Sequence, residues 1–157
     1  MKKIISNLTA LLALIFSVTA GAETCPPISQ FNIIDRSQYD PDPYWSVIQY
    51  EIRPPSGWKF EVDPGLIPTK DINFYFTNFI AKKPAGSGTN QLGLRCSYEY
   101  RRAAIYGYID LTPDNSARFQ EKDFINHPNW NAQTSGGWRA YWCRSNQVGE
   151  CSFSAGI

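Results

Sequence analysis

Between Leu92 and Leu111 the chain reads LGLRCSYEYRRAAIYGYIDL, with a large apolar residue at nearly every second position. Period-two alternation marks a strand with one buried face, because successive side chains point to opposite sides of a pleated backbone. Leu92, Leu94, Cys96, Tyr98 and Tyr100 share one face, and Ile105, Gly107, Ile109 and Leu111 form the matching face of the next run. Arg95, Ser97, Glu99 and Arg101 lie opposite, as do Tyr106, Tyr108 and Asp110. Folding about Arg102-Ala103 pairs Tyr100 with Ile105, Tyr98 with Gly107, Cys96 with Ile109 and Leu94 with Leu111, and sets Arg95 against Asp110. A slip of one residue would mix the two faces. The tip lacks Asn-Gly chemistry, and a wider four-residue loop keeps the same pairing.

The tail carries the same logic. Folding RAYWCRS onto GECSFSA around Asn146-Gln147-Val148 sets Cys143 opposite Cys151, Tyr141 against Phe153 and Arg144 against Glu150, with Gly149 free to take a left-handed turn position. The chain has four cysteines, which allow three connectivities. The facing pair favours Cys143–Cys151, with Cys25–Cys96 as the companion bridge. Further strands are expected over Phe31–Asp35, Trp45–Ile52, Trp58–Val62 and Ile72–Ala81. The last buries Ile72, Phe74 and Phe76 together and pairs with Gln91–Arg101 across the KKPAGSGTN loop. PPSG and DPG read as turns. Thr112 as cap and Pro113 in the first turn predict one short helix from Leu111 through Phe124. The expected fold is all-β: a disulfide-stabilised antiparallel β-sandwich or flattened barrel of about seven strands with that one helix.

The first residues, MKKIISNLTALLALIFSVTAGA, place Lys2 and Lys3 before an apolar run from Leu8 to Val18 and end in Ala20-Gly21-Ala22. That is the pattern of a secretory signal peptide over residues 1–22, cleaved after Ala22. The apolar run is shorter than the roughly 20 residues needed to span a bilayer, so stable membrane insertion is not expected. The remainder, residues 23–157, is read as a single secreted or periplasmic domain, delivered to a space where cysteines oxidise. The chain balances 15 basic against 14 acidic residues, and losing Lys2 and Lys3 with the leader makes it slightly acidic. Lys82-Lys83 and Arg101-Arg102 are isolated pairs that suit hairpin tips. Nucleic-acid binding needs clustered positive charge and is not expected.

Catalytic chemistry finds few parts. His127, in FINHPNWN, is the single histidine, and Asp123 four residues earlier is the nearest carboxylate to orient it. With no nucleophile signature, the two remain weak candidates for a small hydrolase. Asp40 with Asp42, and Glu121 with Asp123, are carboxylates close in sequence without evident facing geometry. The prolines of DPDPYW do not suit a calcium loop, and PAGSGTN lacks the lysine of a phosphate loop. The cysteine spacing does not suit zinc. No metal or cofactor is expected.

The compositional excess is aromatic: 5 Trp, 9 Tyr and 9 Phe. Tyr106, Tyr108, Trp138 and Trp142 fall on the faces opposite the cysteines. If one face of each hairpin is covered, these rings make an exposed strip that reads as a binding surface for a protein or glycan partner. If both faces are covered, they are core. A third use of the chain is inhibitory presentation of the Lys82–Asn90 loop to a protease. The sequence sets no oligomeric state. The Cys25-Pro26 start, the Leu94-x-Cys96-x-Tyr98 strand and the closing cysteine pair resemble small exported bacterial proteins of unassigned function. That resemblance implies a disulfide framework outside the cytoplasm and carries no functional residues with it.

Overall fold

In the computed structural model the described residues are 22–38, 47–82, 86, 92–125, 127–145 and 147–154. The expected leader except for its last residue, Ala22, the Asp40/Asp42 pair and most of the Lys82–Asn90 loop lie outside them. The alternating run forms a hairpin of β7 (Gly93–Arg102) and β8 (Ile105–Pro113). Its register is two residues away from the sequence expectation: Cys96 faces Leu111, Tyr98 faces Ile109, Tyr100 faces Gly107 and Arg102 faces Ile105. A shift of two preserves every face, so Leu94, Cys96, Tyr98, Ile109 and Leu111 are buried as the alternation requires. The tip closes as a tight loop of Ala103-Ala104, with Ala103 in the left-handed region at φ 51°.

Ahead of this hairpin lie β1 (Ala22–Glu23), β2 (Asn32–Asp35), β3 (Tyr50–Arg53), β4 (Trp58–Phe60), β5 (Leu66–Ile67) and β6 (Ile72–Lys82). After it come β9 (Asn131–Ser135), β10 (Trp138–Cys143) and β11 (Phe153–Ser154). All pairings are antiparallel. A large six-stranded sheet runs in the order β4-β8-β7-β6-β10-β9, a three-stranded sheet in the order β2-β3-β5, and β1 pairs with β11. The expected all-β architecture stands, curved into a half-barrel and held by two disulfides, Cys25–Cys96 and Cys143–Cys151. The pairing of β6 with β7 across the KKPAGSGTN loop is also as expected.

Three local expectations are corrected. The tail is not a hairpin. β10 pairs with β6 and β9, Val148–Cys151 is a 3-10 turn, and Phe153 pairs with Glu23 rather than Tyr141. Gly149 sits inside that turn, not in a left-handed position, and Glu150 accepts from the Ser145 hydroxyl. The Cys143–Cys151 bridge forms all the same, because one short turn brings the Cα atoms to 5.6 Å, inside the range a disulfide needs. The helix expected from Leu111 to Phe124 is absent: Leu111–Pro113 finish β8, paired with β4, and only 3-10 turns at Ser116–Arg118 and Glu121–Asp123 follow. Pro113 is tolerated because it ends its strand. Finally, Phe76 does not share a face with Ile72 and Phe74. The ladder to β7 passes from Phe74↔Tyr98 directly to Phe76↔Ser97, leaving Tyr75 as the extra residue of a β-bulge. Phe74 before it and Thr77 and Phe79 after it are buried, while Tyr75 and Phe76 both turn to the outer face.

The inner face of the large sheet is covered in two parts. Under β7 and β8, Tyr98 is fully buried against Phe31 (ring centroids 4.9 Å) and Phe74 (5.7 Å), and its hydroxyl donates to the Pro26 carbonyl at 2.6 Å. Ile52 and Ile67 of the small sheet close this cluster. Under β6 and β10, Phe79 stacks on Phe124 at 4.2 Å, and Phe119, Phe153 and Trp130 complete the group. Trp130 Nε1 donates to the Ser152 carbonyl at 2.8 Å. On the chain-entropy account the Cys25–Cys96 bridge, spanning 71 residues, stabilises by about 4.4 kcal/mol and the short Cys143–Cys151 loop by about 2.6 kcal/mol.

Candidate functional site

With the inner face of the large sheet filled, function falls to its outer face. The pairings place Tyr106, Tyr108, Asp110 and Thr112 of β8 on that face beside Arg101, Glu99, Ser97 and Arg95 of β7. Phe76, Asn78 and Ile80 of β6 follow, then Trp142, Ala140 and Trp138 of β10 against Asn131, Gln133 and Ser135 of β9. The β8 end of this face is open, with Tyr106 and Tyr108 64% and 48% exposed, while Ser116 lies close against Gly93.

Three depressions lie on this face; one of about 160 Å³, lined by Lys59, Glu61, Asn78, Ile80, Arg95 and Thr112, adjoins two with aromatic walls. Of those two, one, of about 270 Å³, is lined by Tyr75, Phe76, Arg95, Ser97, Tyr108 and Asp110. The other, of about 330 Å³, is bounded by Phe76, Asn78, Arg95, Gln133 and Trp142, with Arg144 at its rim. Phe76 and Arg95 belong to both, so the two adjoin at these side chains, and together they make up a trough across β8, β7, β6 and β10.

The bulge builds the aromatic wall. Tyr75, pushed out of the regular ladder, brings its ring to 5.4 Å from Tyr108 and 5.2 Å from Phe76, the latter edge-on. Aromatic pairs at such separations hold one another in place. Partial loss of water beside Tyr75, Glu99 and Tyr106 keeps the Tyr108 hydroxyl protonated beyond the ordinary tyrosine range.

Arg95 forms the polar spine. Its guanidinium lies 3.6 Å from Glu61 and 3.5 Å from Asp110, donates to Asn78 Oδ1 at 3.3 Å and sits 5.9 Å from the Phe76 centroid. The Arg95–Asp110 pair expected from sequence therefore forms, though diagonally, since Ser97 is the residue facing Asp110 and donates its hydroxyl to that carboxylate. These contacts fix the guanidinium plane within the trough floor.

Of the four rings picked from sequence, Tyr108 and Trp142 line the trough. Tyr106 lies on the same face toward the Ala103 tip, and Trp138 beside the Gly136-Gly137 tip; neither lines these depressions. Sequence reading missed Tyr75 and Phe76, whose signal was two adjacent large rings interrupting an alternating run. It also missed Asn78 and Gln133, which carry no signal until the strand order is known.

The hydrolase candidates are placed differently. Asp123 is 3% exposed, and its Oδ2 accepts the Gln120 backbone N–H at 2.7 Å, closing a capping box on the 3-10 turn. Its carboxylate is a structural cap. His127 is half-buried, and its carbonyl accepts the Trp130 N–H at 3.1 Å. All four cysteines are bridged, and no set of three or more His, Cys, Asp or Glu suited to a metal comes together among the described residues. No described helix is long and apolar enough to cross a membrane. Comparison of the chain with protein-family models, with curated proteins and with solved structures returns no match.

Proposed function

We propose that this chain is a non-catalytic interaction module of the periplasm or the extracellular space, and that its contact surface is the outer face of the large sheet. Two disulfides suit an oxidising, non-cytoplasmic space, and the signal-like leader gives the route there. The observation that carries the reading is the trough itself: Tyr75, Phe76, Tyr108 and Trp142 displayed around an Arg95 already fixed by Glu61, Asp110 and Asn78. Rings held before a ligand arrives lose little freedom on contact, which is what makes aromatic residues energetic centres of binding surfaces.

The test is capture of the native partner from the compartment where the protein resides. Wild-type protein should retain it, and Tyr108→Ala with Trp142→Ala should lose it while keeping both disulfides and the folded circular-dichroism spectrum. Undiminished capture by a folded double variant would end this reading. The hydrolase alternative draws no support from Asp123, whose carboxylate is committed to its cap, and most of the inhibitory loop falls outside the described residues.

A further inference from the structure

Resting on that reading of the face, we propose that its ligand is an uncharged glycan laid across the strands, from Tyr108 on β8 to Trp142 on β10. Three features of the trough select this chemistry.

The first is charge. Arg95 is neutralised by Glu61 and Asp110, and Arg101 reaches Glu99 at 3.3 Å. Among the residues lining the two depressions, Arg144 at the rim is the cation outside these pairs. An anionic polymer needs a clustered positive field to hold it, and these depressions offer only single cations, Arg144 and, in the adjoining one, Lys59.

The second is the origin of the polar groups. In the interior of a sheet the main-chain N–H and C=O groups are used in the ladders. A peptide laid over this face would find no backbone partners, because strand addition takes place at an edge. What the floor offers instead is side chains: the amides of Asn78 and Gln133, the Asp110 carboxylate and the Arg95 guanidinium, with Ser97 buried beneath and donating to Asp110. These present donors and acceptors side by side. A sugar hydroxyl both donates and accepts, so a ring bearing several pairs with such a floor in many orientations.

The third is the interleaving of rings with these groups. A pyranose has apolar C–H faces that stack on aromatic rings and polar edges that do not. Tyr75, Phe76, Tyr108 and Trp142 alternate with the polar side chains across successive strands. Strands repeat at about 4.8 Å, close to the length of one sugar unit along a glycan chain. A chain crossing from β8 to β10 thus meets about one strand per sugar. The depressions, about 270 and 330 Å³, sit near the lower end of the volumes that hold small ligands.

The experiment titrates the oxidised protein separately with cellohexaose, maltohexaose, chitohexaose and xylohexaose, and with heparin as the anionic contrast. Tryptophan fluorescence and amide chemical shifts are the readouts. At least one neutral hexasaccharide should shift amides around Phe76, Arg95, Tyr108 and Trp142. Its affinity should change little as salt is raised several-fold, and should fall about tenfold or more in Trp142→Ala and in Tyr108→Ala. Silence from all four neutral sugars overturns the proposal, as does binding of heparin alone with steep salt dependence, or sugar binding that survives both substitutions. If the native partner is captured by wild type, lost in the double variant and not displaced by any of the oligosaccharides, the glycan assignment falls and the face stands as a surface for protein. If capture survives the double variant, the reading of the face falls first.

Discussion

Gly107 lies directly beneath the Tyr100 ring: a Cβ placed on it would stand 2.4 Å from the Tyr100 hydroxyl oxygen and 2.5 Å from its ring carbon Cζ. The two face each other across β7 and β8, and the ring fills the space a side chain would take. Gly107→Ala must displace the ring, so a loss of about 1–3 kcal/mol is expected from overpacking. Combining it with Tyr100→Ala should recover most of that loss. Urea denaturation of the double-mutant cycle measures the coupling, and strictly additive losses would contradict the contact.

Tyr75 is removable. Without it, Ile72, Phe74, Thr77 and Phe79 stay on the inner face, and Phe76 and Asn78 on the outer, so the ladder to β7 becomes regular. A chain lacking Tyr75 should fold and form both disulfides, whereas deletion of Asn78 should invert every side chain beyond it and abolish folding. Disulfide mapping and near-ultraviolet circular dichroism of the two deletions would decide.

The β9–β10 connection has Gly136 and Gly137 at φ 53° and 90°, the primed turn that suits a two-residue hairpin. Its closing pair, Ser135 and Trp138, is hydrogen-bonded, so by alternation Gln133 also bonds into β10 while the Thr134 N–H faces outward. Thr134→Pro should therefore cost little, and Gln133→Pro should break the ladder at a cost of about 3 kcal/mol. Thermal melts of the two variants separate these outcomes, and equal destabilisation would refute the register.

Burial holds the Tyr98 hydroxyl protonated far above the ordinary tyrosine range. An unfolded tyrosine ionises near pH 10, so above that pH the unfolded chain releases a proton that the native state keeps. Stability from this group is complete below about pH 10 and declines as pH rises beyond it. Tyr98→Phe should flatten that alkaline decline, while costing about 1–3 kcal/mol at neutral pH through the unsatisfied Pro26 carbonyl. Urea midpoints between neutral and strongly alkaline pH provide the check.

The two bridges should differ in weight. Replacing Cys25 and Cys96 by Ser should lower stability by about 4.4 kcal/mol, and replacing Cys143 and Cys151 by about 2.6 kcal/mol. Denaturant unfolding of each pair against wild type measures the order, which a larger loss from the short loop would reverse.

The sequence disclosed faces better than neighbours. Alternation from Leu92 to Leu111 marks one inward face, and its middle, Leu94, Cys96, Tyr98, Ile109 and Leu111, is buried. Leu92 and Ile105, expected on the same face, are exposed at the ends of the hairpin strands, where nothing packs over them fully. Alternation does not distinguish a register from its two-residue shift, because parity is unchanged; the Ala103-Ala104 tip decided between them by closing tightly. The tail shows the same limit. Cys143 and Cys151 meet through a 3-10 turn because an eight-residue separation admits more than one path, and Phe153 left Tyr141 for Glu23, a partner from the other end of the described chain. Phe153 and Tyr141 nevertheless share one apolar cluster, so burial was legible where pairing was not. For the trough, Tyr108, Trp142 and Arg95 could be read from alternation. Tyr75 and Phe76 could not, since a bulge depends on what the neighbouring strand presents.

The pairing of β1 with β11 carries a temporal consequence. Glu23 finds Phe153, and Arg118 reaches Glu23 at 2.7 Å, while Cys25 must wait for Cys96. The contact of Glu23 with Phe153, which packs beside Phe119 and Phe124, therefore forms only once both ends of the described chain are present.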